Sequence, residues 1–314
     1  IQLISSSTGQ HFVSFNQNFD LFIDNWSDLE NPRIIEIRDV KGKQIKQLLK
    51  AKNPLDGFDL PQVSVFTIKS EDQKTDLYCR QILPPNFDKT KKHPVLVYLY
   101  GGPHLQLIQD RFMGGADYWL IYMAQQGYVV FSLDNRGSAN RNFEFESVIH
   151  RQLGNAEMND QLKGVEYLKS QTFVDSTRIG VYGWSFGGFL TTTLMTRAPG
   201  TFKVGVAGGP VIDWSMYEIM YTERYMDSPE ENPDGYQKNN LLNYVENLRG
   251  KLLMIHGTSD DVVLWQHSLA YVKKAVEKGV LLDYFVYPEH LHNVSGRDRI
   301  HLMRKITQYF RENL

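Results

Sequence analysis

Among the residues of this chain whose types could do chemistry, the first is Ser185, set in the stretch Ile179 to Gly188 that reads I-G-V-Y-G-W-S-F-G-G. A serine hydroxyl attacks an acyl carbon only where it stands clear of its neighbours, and a sharp strand-to-helix turn gives that clearance. The apolar run Ile179 to Tyr182 predicts a short buried strand, and Phe189 to Arg197 is long enough for a helix. Gly183 and Gly187 remove the Cβ atoms that would clash at such a turn. The helix N-terminus behind Ser185 brings free N–H groups and a positive dipole end to the place where an oxyanion would form. A serine between glycines also serves plain turn geometry; the flanking strand and helix are what favour a nucleophile.

A serine nucleophile needs a base, and the base needs an orienting carboxylate. On a strand–turn–helix scaffold the expected chain order is serine, acid, base, the last two on loops after later strands. The loop Gly257-Thr-Ser-Asp260-Asp261-Val-Val follows the apolar run Leu252 to His256, and Pro288-Glu-His290-Leu-His292-Asn-Val follows Leu282 to Tyr287. Either loop alone reads as solvated surface or a helix cap. Together, in order and at strand ends, they make an acyl-transfer site the better reading.

The elements that must hold these groups are legible upstream and between them. Val63 to Ile68 and Leu77 to Leu83 alternate as antiparallel strands, whereas Val95 to Tyr100, Tyr128 to Leu133, Ile179 to Tyr182, Phe202 to Ala207, Leu252 to His256 and Leu282 to Tyr287 are unbroken apolar runs. Such runs fit strands buried on both faces. Segments of helical spacing lie between them at Tyr118 to Gln126, Asn159 to Ser170, Ser268 to Glu277 and Arg299 to Glu312. The alternation predicts an α/β fold with a mostly parallel sheet covered by helices on both faces. Ligands in such sheets sit beyond the carboxyl ends of the strands, where the candidates above fall. Residues 4 to 50 differ: H-F-V-S-F-N, D-L-F-I-D-N-W and R-I-I-E-I-R-D-V alternate between tight turns, which predicts a small antiparallel sheet of one propeller blade or one hairpin pair. No second copy of the pattern occurs, and a lone blade cannot bury both its faces, so the chain is expected to continue something longer on its N-terminal side.

Composition narrows the classes. The 314 residues are 42% hydrophobic, ample for a sizeable core, and the net charge of −2 speaks against nucleic acid or an anionic membrane as partner. One cysteine, Cys79, allows no intrachain disulfide, which fits a cytoplasm or a periplasm alike. No run of about 18 apolar residues is present for membrane insertion, and the first ten residues lack the basic start and apolar block of a signal peptide. No zinc-like Cys/His spacing and no phosphate-binding glycine loop appears, so no metal and no cofactor is implied.

The motifs G-W-S-F-G-G, H-G-T-S-D-D-V-V and Y-P-E-H-L-H-N-V, with Tyr100-Gly-Gly-Pro103, Asp134-Asn-Arg-Gly137, His150-Arg-Gln-Leu-Gly154 and Trp214 through Tyr225, resemble the prolyl oligopeptidase family of serine peptidases in its dipeptidyl peptidase IV branch. The likeness runs from about Val63 to the C-terminus. It implies an α/β-hydrolase catalytic domain over residues 56–314, preceded at 1–55 by a β-propeller remnant and linker. It implies Ser185, Asp260 and His292 as the triad, with Asp261 and His290 as runners-up. It implies Tyr100 and the backbone N–H of Phe186 as the oxyanion hole. Val211, Trp214, Tyr217, Tyr221 and Val263 resemble the wall of a proline pocket. Val262 stands where dipeptidyl peptidases often carry an asparagine, which puts a substrate carbonyl contact in doubt; Glu218 is a candidate to hold a substrate amine. The activity implied is a serine exopeptidase on peptide substrates, releasing N-terminal dipeptides or tripeptides after proline or alanine through an acyl-enzyme. The alternatives are an acylaminoacyl hydrolase or esterase, and a non-catalytic binding module. The resemblance leaves a homodimer open and favours a periplasmic or extracellular bacterial location over a cytoplasmic one.

Overall fold

The computed structural model describes residues 3–5 and 8–314; Ile1, Gln2, Ser6 and Ser7, at the start of the expected β-propeller remnant, lie outside the described residues. Two sheets divide the strands. The smaller is an antiparallel meander in sequence order, β1 (Gln10–Phe15), β2 (Leu21–Ser27), β3 (Ile34–Asp39) and β4 (Gln44–Lys50). Three alternating runs were legible in the sequence, and β4, all of whose residues are exposed, is the fourth strand. The inward face of this sheet is not purely apolar. Between Phe22 and Trp26 it buries Asp24, which pairs with His11 at 2.9 Å, and Arg38 bridges Asp24 and Glu36 at 3.4 and 2.7 Å. A buried charge survives only when partnered in this way.

The larger sheet has eight strands in the order β12-β11-β10-β9-β7-β8-β6-β5. Its members are β5 (Gln62–Lys69), β6 (Asp76–Leu83), β7 (His93–Tyr98), β8 (Val129–Leu133), β9 (Val174–Trp184), β10 (Val204–Gly208), β11 (Lys251–Gly257) and β12 (Asp283–Tyr287). β7 through β12 pair in parallel, and β5 and β6 form the antiparallel edge. The parallel strands are unbroken apolar runs because alternate residues enter different cores. Val95, Val97, Val181 and Met254 join one apolar cluster, while Leu96, Tyr182, Leu253 and Ile255 join the other. Each such side chain contributes about 1.5–3 kcal/mol of burial free energy.

The helices are α1 (Tyr118–Gln125), α2 (Phe143–Ser147), α3 (Asn155–Ser170), α4 (Phe186–Arg197), α5 (Ile219–Met226), α6 (Pro233–Asn239), α7 (Gln266–Glu277) and α8 (Asp298–Asn313). Residues of α3, α4 and α7 build the first core, those of α1 and α8 the second, so both faces of the sheet are covered. The small sheet meets the segment between β7 and α1 where Phe112 N–H donates to Ser27 Oγ at 3.0 Å. Because β7 and β9 to β12 run in parallel, the segments leaving their carboxyl ends emerge on one edge. Tyr100, Ser185, Val211, Asp260 and His292 all lie on those segments.

Candidate active site

The turn from β9 to α4 stands Ser185 at φ 63° and ψ −120°, a conformation that costs a non-glycine residue strain and persists only where its surroundings over-determine it. Here Ser185 N–H donates to Gly208 O at 2.8 Å, and Ser185 O accepts from Phe189 N–H at 3.0 Å. A Cβ on Gly183 would lie 2.3 Å from Gly187 O, and one on Gly187 would lie 2.6 Å from Leu99 O. Backbone cannot yield as a side chain can, so both glycines are dictated by the turn. Phe186 N–H, at the first position of α4, has no acceptor within the helix and faces the region of the serine.

Beyond β11, Asp260 is almost fully buried. Its Oδ1 accepts from Val262 N–H at 3.0 Å and Val263 N–H at 2.9 Å, and its Oδ2 lies 2.8 Å from His292 Nδ1. Burial by itself would raise this carboxyl, but hydrogen bonds from His256 and His292 and from Val262 N–H outweigh it and hold the group well below the usual carboxylate range. The neighbouring alternatives point elsewhere. Asp261 is exposed, and His290 Nε2 sits 2.8 Å from Asp298 of α8. Two residues that sequence reasoning passed over support the pair. His256, fully buried at the end of β11, places Nε2 2.8 Å from Val263 O and 3.2 Å from Asp260 Oδ2. A carbonyl only accepts, so this Nε2 carries a proton and donates it to Val263 O, with Asp260 Oδ2 close beside. Trp184, the residue before the serine, donates from Nε1 to His292 O at 2.9 Å. The available signal was position: a histidine at a strand end four residues before an acid, and an indole beside the serine.

The loop that carries Tyr100 is fixed by the Asp134-Asn-Arg-Gly137 stretch after β8. Asp134 accepts from Leu107 and Ile108 N–H, both at 2.9 Å, and Asn135 Nδ2 donates to Gly101 O at 2.9 Å. Arg136, in turn, is held by Asp160 at 2.9 Å. Burial pushes the Asp134 carboxyl up to about 6 against those backbone bonds. Tyr100 itself lies two residues past the end of β7 rather than inside the strand, and its hydroxyl makes no hydrogen bond among the described residues. Burial raises its pKa, so the hydroxyl keeps its proton and can donate.

A narrow cavity of about 20 Å³ opens beside the serine, lined by Tyr100, Ser185, Phe186, Val211, Trp214, Tyr217 and Tyr221. Trp214 and Tyr221 lie face to face with ring centres 6.0 Å apart, and Tyr217 stands edge-on to both at 5.7 and 5.3 Å. Flat aromatic faces with no carboxylate among them suit an apolar ring. Burial pushes the Tyr217 hydroxyl up to about 12 and raises that of Tyr221 further. Val263 is buried behind this wall and does not line it, while Glu218 is exposed at the start of α5 and lines neither this cavity nor the next. A second cavity of about 420 Å³ also reaches Ser185, with Val262, His292, Tyr98, Trp184 and Arg299 among its walls. A larger hollow of about 1050 Å³ between α1 and α8 holds none of the candidate residues. Among the described residues, no cluster of three His, Cys, Asp or Glu side chains is placed to hold a metal, and no helix is long and apolar enough to cross a membrane.

The sequence model of the prolyl oligopeptidase family matches residues 116–314. This chain belongs to the prolyl oligopeptidase family. It is 32% identical to human dipeptidyl peptidase 8 over 97% of its length and 35% of that protein's, and 34% identical to bovine prolyl endopeptidase FAP over 83% and 34%. Among solved structures it resembles dipeptidyl peptidase 4 of Porphyromonas gingivalis, with a TM-score of 0.93 and 31% identity over 99% of this chain and 44% of that one. It also resembles a Bacteroides ovatus protein assigned as a dipeptidyl aminopeptidase IV, with a TM-score of 0.96 and 51% identity over 98% and 43%. The chain thus spans about a third of the length of the curated relatives it matches. Within the family the eight-stranded unit is the α/β-hydrolase fold expected from the sequence, preceded by a small antiparallel sheet.

Proposed function

We propose that this chain is the catalytic portion of a serine exopeptidase that releases N-terminal dipeptides or tripeptides after proline or alanine. The observation that carries this reading is the buried Asp260–His292 pair at 2.8 Å, whose base shares a cavity with Ser185 directly beside the aromatic pocket. The division of the chain follows the same reading, with residues 1–55 as β-propeller remnant and linker and 56–314 as the catalytic domain.

In the mechanism, His292 Nε2 takes the proton of Ser185 as its oxygen attacks the scissile carbonyl, while Asp260 fixes the other ring nitrogen. Phe186 N–H and the Tyr100 hydroxyl receive the oxyanion; donors already positioned there contribute because they need no reorganisation as charge develops. His292 then gives its proton to the departing amine. Water, activated by the same histidine, releases the acyl group from Ser185. Trp214, Tyr217, Tyr221 and Val211 hold the residue before the scissile bond; Val262 offers no amide to a substrate carbonyl. Glu218 is exposed and outside both cavities, so it makes no close wall for a substrate amino terminus held in either. The names of the relatives, dipeptidyl peptidase 8 among them, support removal of short N-terminal peptides.

The test is covalent labelling. A fluorophosphonate should modify the chain stoichiometrically and Ser185→Ala should abolish the reaction; a variant that still labels would show that another residue is the nucleophile.

A further inference from the structure

Two cavities meet at Ser185, and they differ in which triad member they reach. Tyr100, Ser185 and Tyr217 line both, but His292 lines only the larger one. The histidine hands its proton to the leaving nitrogen, so the departing part of a substrate must lie on the histidine's side. The aromatic cavity is therefore the acyl side. The cavity of about 420 Å³ is where the leaving peptide goes.

The far wall of that cavity is charged. Arg299, in the first turn of α8, is half exposed, and its nearest acid is Asp117, with Nη2 to Oδ2 at 4.0 Å, beyond hydrogen-bonding distance. Asp117 is otherwise engaged, because its Oδ1 caps α1 by accepting from Trp119 and Leu120 N–H at 2.9 and 3.1 Å. Arg299 lines this cavity together with Asp117, and lines the hollow between α1 and α8 as well; its guanidinium makes no hydrogen bond among the described residues, which leaves its planar fork of donors available to a ligand. Such a fork matches a carboxylate.

We infer that Arg299 is a specificity residue for the leaving side of the reaction, receiving a carboxylate carried by the departing peptide, either an acidic side chain or a free C-terminus close to the cleaved bond. The inference rests on the serine hydrolase reading given above. It is tested without any anchor for the substrate amino terminus. Ala-Pro p-nitrophenyl ester acylates Ser185, and added peptides then compete with water for the acyl group. The acceptor's amine forms the new C–N bond, the bond to Ser185 Oγ breaks, and His292 carries the proton from the amine to that oxygen. The ratio of transfer to hydrolysis reports binding on the leaving side.

Gly-Glu amide or Gly-Gly with a free carboxylate should exceed neutral Gly-Gln amide by about fivefold, the scale of a partly exposed ion pair. A preference for the first alone assigns the carboxylate to a side chain, and for the second alone to the chain end. Arg299→Gln should remove the preference, and Arg299→Glu should turn it toward Gly-Lys amide. Asp117→Asn keeps a capping side chain and should strengthen the preference. Added salt should weaken it. An acceptor ratio that is the same in all three variants and the unaltered chain would overturn the assignment of Arg299. An unaltered chain that neither labels with fluorophosphonate nor turns over the ester would overturn the hydrolase reading, and this subsite with it.

Discussion

Replacing Glu157 by glutamine should change how stability depends on pH. Glu157 lies in the first turn of α3 with no exposed surface; its Oε2 accepts from Gly154 N–H at 3.0 Å, and its Oε1 has no partner among the described residues. Burial, opposed by the Gly154 N–H bond and by Arg197 but aided by Asp160, pushes its carboxyl up to about 8 from an ordinary 4.5. A carboxyl whose pKa is raised on folding binds its proton more tightly in the native state. Its stabilising contribution is therefore complete below pH 4.5 and is lost as pH rises through about 8. Over that window the slope is about 1 kcal/mol per pH unit, on the order of 3 kcal/mol between about pH 5 and pH 8. Glutamine keeps an acceptor for Gly154 N–H and carries no titrating proton. Urea unfolding of both proteins at constant ionic strength gives the difference directly, since every other titrating group cancels. The variant should gain on the wild type by that amount between about pH 5 and pH 8, whatever its offset at acid pH. A difference constant with pH would show that Glu157 is solvated or partnered, and the argument from burial would fail.

Three further outcomes bear on the site. Asp260→Asn and His292→Ala should each lower ester and peptide hydrolysis by about 10⁴-fold, while Asp261→Asn and His290→Ala change it little; steady-state kinetics on the four variants decide between the two registers. Tyr100→Phe keeps the ring packed on Phe186 but removes a donor, so kcat should fall by about 10²- to 10³-fold with KM little changed, and an equal loss in both parameters would speak against an oxyanion contact. Protonation of His267 should loosen the segment after β10. Burial holds this residue down to about 4, and its Nδ1 accepts from Ile212 N–H at 3.1 Å. Its stabilisation is present above the ordinary 6.5 and lost as pH falls toward 4, and the protection factor of the Ile212 amide, taken against its intrinsic exchange rate at each pH, should fall across that window.

The sequence made the large sheet legible because a strand buried on both faces writes an unbroken apolar run, as Val95 to Val97 and Leu252 to Ile255 do. The order of the proposed triad, Ser185, Asp260 and His292, was legible too, because each sits just past such a run. What it hid were features fixed by tertiary contact. β9 begins at Val174, five residues before its apolar stretch, since Asp175, Ser176 and Thr177 are polar and lie toward solvent. α5 was read only as pocket wall, because its aromatic face looks like neither a helix stripe nor a strand. The burial of Asp24, Glu36 and Arg38 in the small sheet is not legible from alternation alone, because it rests on ion pairs that form only in the folded chain. The support given by His256 depends on two acceptors that meet only in the folded chain.

The route of the chain after β12 also governs where this protein will accept extra residues. Neighbouring strands stand about 4.8 Å apart, so from β12 to β9 His292, the proposed base, must recross roughly 14 Å of sheet to reach Ser185. It does so over the end of β10, where a Cβ on Gly209 would come within 3.3 Å of the His292 ring. On the proposed mechanism the loop length is therefore as much a catalytic parameter as the identity of the histidine, and a single residue added between Tyr287 and His292 should abolish hydrolysis in a still folded chain. The turn at Gly279, between α7 and β12, has nothing within 4 Å of a built Cβ. That is the place to put an epitope or a fluorophore, thirteen residues before His292 in sequence yet at the opposite end of the strands from it.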